Sequence, residues 1–283
     1  MTCNHCGGNE VRLLFVKKGY RLVRCSGCHL AYIDNPPTAD ELAIIYSGAA
    51  DYHRDLTNPE SQPYAALSRT ADQHLHVLEK YASNGRLLDV GCSTGLFLDR
   101  AARAGYEVEG VEFSSDSADF ARKQFGLTVS EGDVRASPAG PWDIITMFDV
   151  IEHVPDPSGD MRSVADLLAP GGLFLLSTPD IDGLFPRLSY LLADRLDYWP
   201  HPEPPHHLTQ FSKRTLAAML ERNGFEVLGV HDTNMALSYS FGAPATLAKH
   251  PKMAAYAALF APIAKLAPLI GKGDWFYMAA RKR

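Results

Sequence analysis

Positive charge is scarce in this chain: 27 Lys and Arg stand against 33 Asp and Glu, a formal charge of −6 over 283 residues. Without a global positive field the protein does not concentrate nucleic acid around itself, so bulk RNA or DNA binding is disfavoured. No secretory leader is expected either. The N-terminus, MTCNHCGGNE, has neither the charged segment nor the apolar run of one, which predicts a cytoplasmic protein whose thiols persist as thiols. The five cysteines are therefore read as ligands or buried groups, and disulfides are not expected. Long apolar runs are also lacking. The longest apolar-rich stretch, Tyr256 to Ile270, is broken by Pro262, Lys265 and Pro268 and is shorter than the roughly 20 residues of a bilayer span, so no transmembrane segment is expected.

What is present suffices for one large α/β domain with a small appendage, since 46% of the residues are hydrophobic. The appendage comes first. Cys3-x-x-Cys6 and Cys25-x-x-Cys28 flank an alternating stretch (Val11, Leu13, Phe15, then Tyr20, Leu22, Val23) that predicts a hairpin, which is zinc-ribbon spacing. Each C-x-x-C knuckle places two sulfurs on one side of a tight turn, and two knuckles close a tetrahedral shell with no open position, so a structural Zn²⁺ is expected. The competing readings are a redox dithiol pair, an iron centre, or a shell in which His5 or His29 replaces a cysteine. About 35 residues cannot bury enough apolar surface to fold alone, and metal binding would supply the stability.

After Asp34-Asn35-Pro36-Pro37, a helix over 39–46 and a polar segment lead to a second helix, about 64–81. Residues 86–91 then read as a buried parallel strand, 92–95 as a tight turn, 96–103 as the following helix, and 107–111 as a second strand ending on Glu112. This opens a doubly wound sheet, in which ligands sit beyond the carboxyl ends of the strands. Gly91 and Gly95 allow the backbone to approach a ligand and offer helix N-terminal N–H groups to a carboxylate, while an acidic residue ending the second strand can accept from both ribose hydroxyls. NAD enzymes use a glycine-rich turn at the same place, but this run lacks the third glycine at dinucleotide spacing.

Five segments in order, L-L-D-V-G-C-S-T-G (87–95), V-E-G-V-E-F (108–113), E-G-D-V (131–134), F-D-V-I-E-H-V-P-D-P (148–157) and P-G-G-L-F-L-L-S-T-P (170–179), resemble a class I S-adenosylmethionine (SAM) dependent methyltransferase over roughly 64–232. The resemblance implies a Rossmann-like seven-stranded sheet whose last strand, within 273–282, is reversed. It implies that Asp89, Gly91, Cys92, Ser93 and Gly95 line the methionine end of SAM. Glu112 would hold the ribose with Phe113 beside it, Asp133 would meet the adenine amino group next to Val134, and Phe148 with Asp149 would floor the pocket. Ser93 departs from the family's usual middle glycine. The bland alternatives are helix caps or satisfied turns, most pressing for Asp133, because Gly-Asp is a common turn; Cys92 reads as a small packing residue.

SAM supplies the driving force for methyl transfer, and the protein chiefly aligns the reactants. A hydroxyl acceptor would need a general base, for which His153, His206 and His207 are the candidates. The first is also readable as a structural loop anchor. The other two precede a helix capped by Ser212, in the run H-P-E-P-P-H-H-L-T-Q-F-S (201–212), whose prolines disfavour the one-turn spacing of a helical metal site. Residues 184–199 and 256–270 show apolar helical stripes, read first as core or homodimer interface and second as peripheral contact with a lipid-linked acceptor.

The expected organisation is a ribbon over 1–36, a helical cap over 37–80, and a methyltransferase domain over 81–283 with acceptor-side insertions near 181–210 and 236–272. Because the zinc module and the P-P-H-H-L-T-Q-F-S run resemble sugar, glycan or natural-product methyltransferases, the leading acceptor is a sugar or glycan hydroxyl, with a quinone or polyketide-type molecule next. Ribosomal RNA is a third reading, on the strength of Arg12, Lys17, Lys18, Arg21 and Arg24. A noncatalytic SAM- or zinc-binding adaptor is a fourth.

Overall fold

A computed structural model describes residues 2–38, 40–42, 56–196, 198–234, 240–242 and 244–283. Most of the helix expected over 39–46, and the start of the insertion at 236–272, lie outside the described residues.

The chain begins with the predicted hairpin, β1 (Val11–Lys17) and β2 (Tyr20–Cys25), followed by β3 (Ala31–Ile33). Helix α1 (Gln62–Leu78), capped by Ser61, precedes an alternation of strands and helices: β4 (Arg86–Val90), α2 (Leu96–Arg103), β5 (Glu107–Glu112), α3 (Ser115–Phe125), β6 (Val129–Glu131), β7 (Trp142–Phe148), α4 (Pro157–Leu167) and β8 (Leu168–Pro179). Two short helices, α5 (Leu184–Tyr190) and α6 (Ala193–Leu196), lead to β9 (Thr209–Gln210), α7 (Lys213–Arg222), β10 (Phe225–Thr233), α8 (Pro244–Leu247), α9 (Pro251–Leu266) and β11 (Trp275–Lys282).

Seven strands form one sheet in the order β10-β11-β8-β7-β4-β5-β6. β11 lies antiparallel between β8 and β10, as the reversed last strand was expected to lie. The central strands are buried along most of their length because both faces are covered. Leu87 and Leu88, neighbours in sequence, enter different cores because successive side chains point to opposite faces. Leu87 packs with α1 and α2. Leu88 packs on the other face, where α4, α7 and the N-terminal hairpin meet.

That hairpin is not a separate bead. β1, β2 and β3 form a second sheet whose fourth strand is β9, with Ala31 opposite Gln210 and Tyr32 opposite Thr209. Val23, Leu30 and Tyr32 share a core with Phe211, Leu216 and Leu220. Polar ties add register: Lys17 Nζ donates to the carbonyls of Trp199, Pro200 and Pro202, and Tyr190 donates to Leu14 O.

The apolar helix is longer than the sequence reading allowed. It starts at Pro251 and continues through a 3₁₀ turn to Ile270, 20 residues, long and apolar enough by length and composition to cross a membrane. Pro251 sits in the first turn, where its missing N–H costs nothing, so the stretch before Tyr256 joins the helix. Tyr256 and Phe260 pack on Phe185 and Phe241, whereas Leu259, Leu266, Leu269 and Ile270 are exposed.

Candidate functional site

The carboxyl ends of β4, β5 and β7 converge where sheet topology places a ligand. Gly91, just after β4, has φ +78°, and a Cβ there would stand 2.4 Å from Val150 Cγ2, so the turn tolerates only glycine. Ser93 also occupies the left-handed region, φ 49°, where its side chain adds strain that a glycine would not carry. Gly95 caps α2 at φ +79°, and a Cβ on it would meet Leu127 Cδ1 at 2.7 Å; its smallness serves packing against α3 as well as the turn.

Asp89 is buried and accepts from Thr146 Oγ1 at 2.6 Å, and burial lifts its carboxyl to about 7. Glu112 ends β5 and ties the two ligand-facing loops together, accepting from the backbone N–H of Ser93 and of Ser114, each at 2.8 Å. Beside it Phe113 is 62% exposed, an apolar face turned outward at the mouth of the site. Cys92 is buried under β5, where a Cβ on Gly110 would lie 2.7 Å from its Sγ, and burial raises its thiol well above the usual range.

Asp133 caps the 3₁₀ turn 134–136, accepts from Arg135 N at 2.9 Å and pairs with the Arg135 guanidinium, which holds its carboxyl low. Val134 is buried. Phe148 lies beneath the site, stacked on His74 with centroids 4.0 Å apart and 8° between planes, and edge-on to Phe97. Asp149 has φ 57° and accepts from Ser177 Oγ and from Trp275 Nε1, the latter at 2.7 Å. Burial raises its carboxyl.

Beyond β7 the chain brings three further groups together. His153 and His207 meet edge to face at 4.7 Å, although 53 residues of chain separate His153 from the His206 carbonyl its Nδ1 meets at 3.0 Å. With Nδ1–H donating to that carbonyl, Nε2 of His153 carries the lone pair. His207 is buried and His206 is exposed, so His206 contributes its backbone and His207 its ring. Glu152, 1% exposed, accepts from Thr178 Oγ1 at 3.0 Å, and its carbonyl receives the N–H groups of Leu208 and Thr209. Burial holds both rings neutral, lowering His153 to about 4 and His207 well below its ordinary value, and pushes the Glu152 carboxyl well up.

One ligand atom from each of Glu152, His153 and His207 lies within 4.8 Å of the others, and Glu152 Oε1 and His207 Nδ1 are buried without hydrogen-bond partners. This set could hold a metal ion. The proline argument against a metal concerned pairs within 201–207, whereas the gathered ligands come from two distant segments. A cavity of about 40 Å³ beside His207 is bounded by Pro179, Pro200, His201 and Trp275.

The four ribbon sulfurs also lie within 4.8 Å of one another, with Cys3–Cys28 and Cys6–Cys25 at 3.5 Å. Tetrahedral Zn–S bonds of about 2.3 Å require sulfurs about 3.8 Å apart, which these spacings fit. Gly8 N–H donates to Cys6 Sγ at 3.4 Å. The basic stretch behind the RNA reading is largely engaged inside the molecule: Lys17 on three carbonyls, Arg21 on Asp34 and Arg24 on Asp182.

Sequence reasoning missed Thr146, Ser177, Trp275 and His74, which position the predicted acids and Phe148 from strands and a helix far along the chain. It noted Glu152 only as the neighbour of His153. No local signal marks them.

The chain matches the family model described as "Methyltransferase domain" over residues 64–230, more than half its length. It is 32% identical over 191 residues to a ubiquinone biosynthesis O-methyltransferase from Xanthomonas euvesicatoria pv. vesicatoria, covering 64% of this chain and 79% of that protein. A protein of the same description from Xanthomonas axonopodis pv. citri is 33% identical over 154 residues, 51% of this chain and 64% of the relative, so the chain spans less than two thirds of that relative's length. Among solved structures, the magnesium protoporphyrin IX methyltransferase from Synechocystis PCC 6803 with bound SAH superposes with a TM-score of 0.58 at 15% identity, covering 86% of this chain and 100% of that one. At that identity the likeness concerns the fold.

Proposed function

The chain belongs to the methyltransferase-domain family, and from that premise we propose that it transfers the methyl group of SAM to a ring hydroxyl of a quinone-precursor type of small molecule. The observation that carries this reading is the 32% identity to a ubiquinone biosynthesis O-methyltransferase across 79% of that protein. It displaces the sugar hydroxyl that the sequence placed first. Asp89, Gly91 and Ser93 would hold the methionine end of SAM, Glu112 the ribose and Phe113 an apolar face of the cofactor; Asp133 would need to release Arg135 to reach the adenine. SAM supplies an activated methyl group when bound. The protein aligns the acceptor oxygen with it and receives the proton.

His153 and His207 are the proposed receivers. An imidazole held neutral above pH about 4 is always able to accept a proton, but it is a weak base, so its contribution comes from position. His207→Ala is expected to keep SAM affinity within about twofold and lower turnover by about 10²-fold, the usual worth of a positioned base. Unchanged turnover would remove His207 from the chemistry.

A second reading is favoured by the convergence of Glu152, His153 and His207. Held by neutral imidazoles and a carboxylate, a divalent ion would bind the acceptor hydroxyl and lower its pKa, so that its proton would pass to solvent rather than to His153 or His207. Chelation that abolishes turnover while elemental analysis shows the ribbon zinc retained, reversed by adding the metal back, supports this reading; turnover indifferent to such chelation supports the base. In the ribbon, we propose that Cys3, Cys6, Cys25 and Cys28 hold a structural Zn²⁺.

A further inference from the structure

We propose that the cavity between the ribbon hairpin and α5 binds a phosphate ester, a phosphate dianion carried on an apolar or aromatic body. The cavity measures about 200 Å³ and lies outside the cofactor and histidine sites. Three arginines line it, Arg12 on β1, Arg24 on β2 and Arg187 on α5.

Their placement is costly unless an anion joins them. Arg12 and Arg24 are direct register partners across the antiparallel pair, an arrangement of like charges that destabilises a hairpin. The one carboxylate in the lining, Asp182, pairs with Arg24 at 3.1 Å. Even so, Arg24 Nε is buried without a hydrogen-bond partner. Among the described residues, neither Arg12 nor Arg187 has an ion-pair or side-chain hydrogen-bond partner. Three guanidiniums against one carboxylate leave an excess of two positive charges. A phosphate monoester carries about −1.5 to −2 at neutral pH and matches that excess, whereas a carboxylate supplies half of it. Guanidinium forks also suit phosphate oxygens geometrically.

The other walls define the body of the ligand. Leu14 and Ile181 are apolar, and the rings of Tyr190 and Trp199 lie 4.8 Å apart at 50°, giving an aromatic wall beside the charges. At the edge Leu191 is 73% exposed. The segment 199–201 divides this cavity from the small one at His207, with Trp199 on one side and Pro200 and His201 on the other. A phosphate bound here sits next to the acceptor side. Resting on the methyl-transfer reading, it would serve as a handle by which a phosphorylated acceptor is recognised; binding itself does not depend on that reading.

The test uses the full chain at low salt, with calorimetric titration of phenyl phosphate and benzoate, and sedimentation with vesicles that contain phosphatidic acid. Phenyl phosphate is expected to bind at least about tenfold tighter than benzoate, and Arg12→Gln and Arg187→Gln are each expected to weaken it about fivefold or more. SAM affinity, measured on the same samples, stays unchanged and reports that the variants are folded. Arginine-dependent retention on vesicles without phenyl phosphate binding supports the same phosphate chemistry and identifies a lipid headgroup as its source. Absence of both, equal binding of benzoate, or indifference to both substitutions overturns the proposal. None of these results bears on whether methyl transfer occurs.

Discussion

In the proposed reading Asp89 meets the positive charges of SAM, and its raised value has a testable sign. Burial favours the protonated form, so Asp89 contributes stability that is fully present in acid and is lost as pH rises through about 7. A cationic ligand favours the ionised form, so SAM binding should release a proton below pH 7. SAM affinity is expected to rise with pH up to about 7 and then level, and Asp89→Asn is expected to flatten the profile; calorimetry in buffers of different ionisation enthalpy measures both. A flat profile in the parent would remove Asp89 from the ligand's surroundings. For Glu112, replacement by Ala deletes the acceptor of two backbone N–H groups and the proposed ribose contact. SAM affinity should fall at least tenfold, about 1.4 kcal/mol or more, in the same titration. Asp89, Gly91 and Glu112 were legible because the strand-turn-helix run that positions them is continuous in sequence. Thr146, Ser177 and Trp275 were not, since each reaches its carboxylate from another strand, and such pairings leave no periodic trace.

Among the elements, β9 has two residues and a disproportionate role. Its Thr209 N–H donates to the Glu152 carbonyl at 3.0 Å while its backbone pairs with Tyr32, so one short strand links the ribbon, the buried acid and the loop carrying His207. Thr209→Pro removes that donor and disfavours the pairing. The expected result is a turnover reduced about tenfold or more with SAM affinity nearly unchanged, read from steady-state kinetics and titration side by side. At the β4 turn, Gly91→Ala forces a Cβ into Val150 and a side chain onto a left-handed backbone. It should destabilise the fold by roughly 2–3 kcal/mol in denaturant unfolding, with loss of SAM binding. The β4 to β5 region was readable to within a residue or two because its strands are apolar runs closed by glycine turns. A two-residue strand offers no period to read, and its pairing partner lies in the N-terminal segment. The 251–270 helix was underestimated because Pro262 and Pro268 were read as interruptions, whereas the helix carries Pro262 in its interior and Pro268 falls in the first turn of the closing 3₁₀ segment.

Across the whole molecule, the ribbon and the sheet domain share a core, and the ribbon's last strand is borrowed from the larger domain. The fold class followed from alternating strands and helices in sequence. The docking did not, because the hairpin's outward apolar residues could equally have met a partner or solvent. If the ribbon positions β9, a metal held by its four cysteines would act on the acceptor side at a distance. Cys6→Ser combined with Cys28→Ser is expected to abolish bound zinc by elemental analysis and to lower turnover while SAM still binds; retained zinc would contradict the four-thiolate site.

The most direct test of the central claim is transfer of labelled methyl from SAM to three pools offered in parallel: phenolic quinone precursors, nucleotide-linked sugars and RNA. Label in the phenolic pool, lost with His207→Ala, is the predicted result. Label confined to sugar or RNA, or no transfer to any pool by protein that binds SAM, would contradict it.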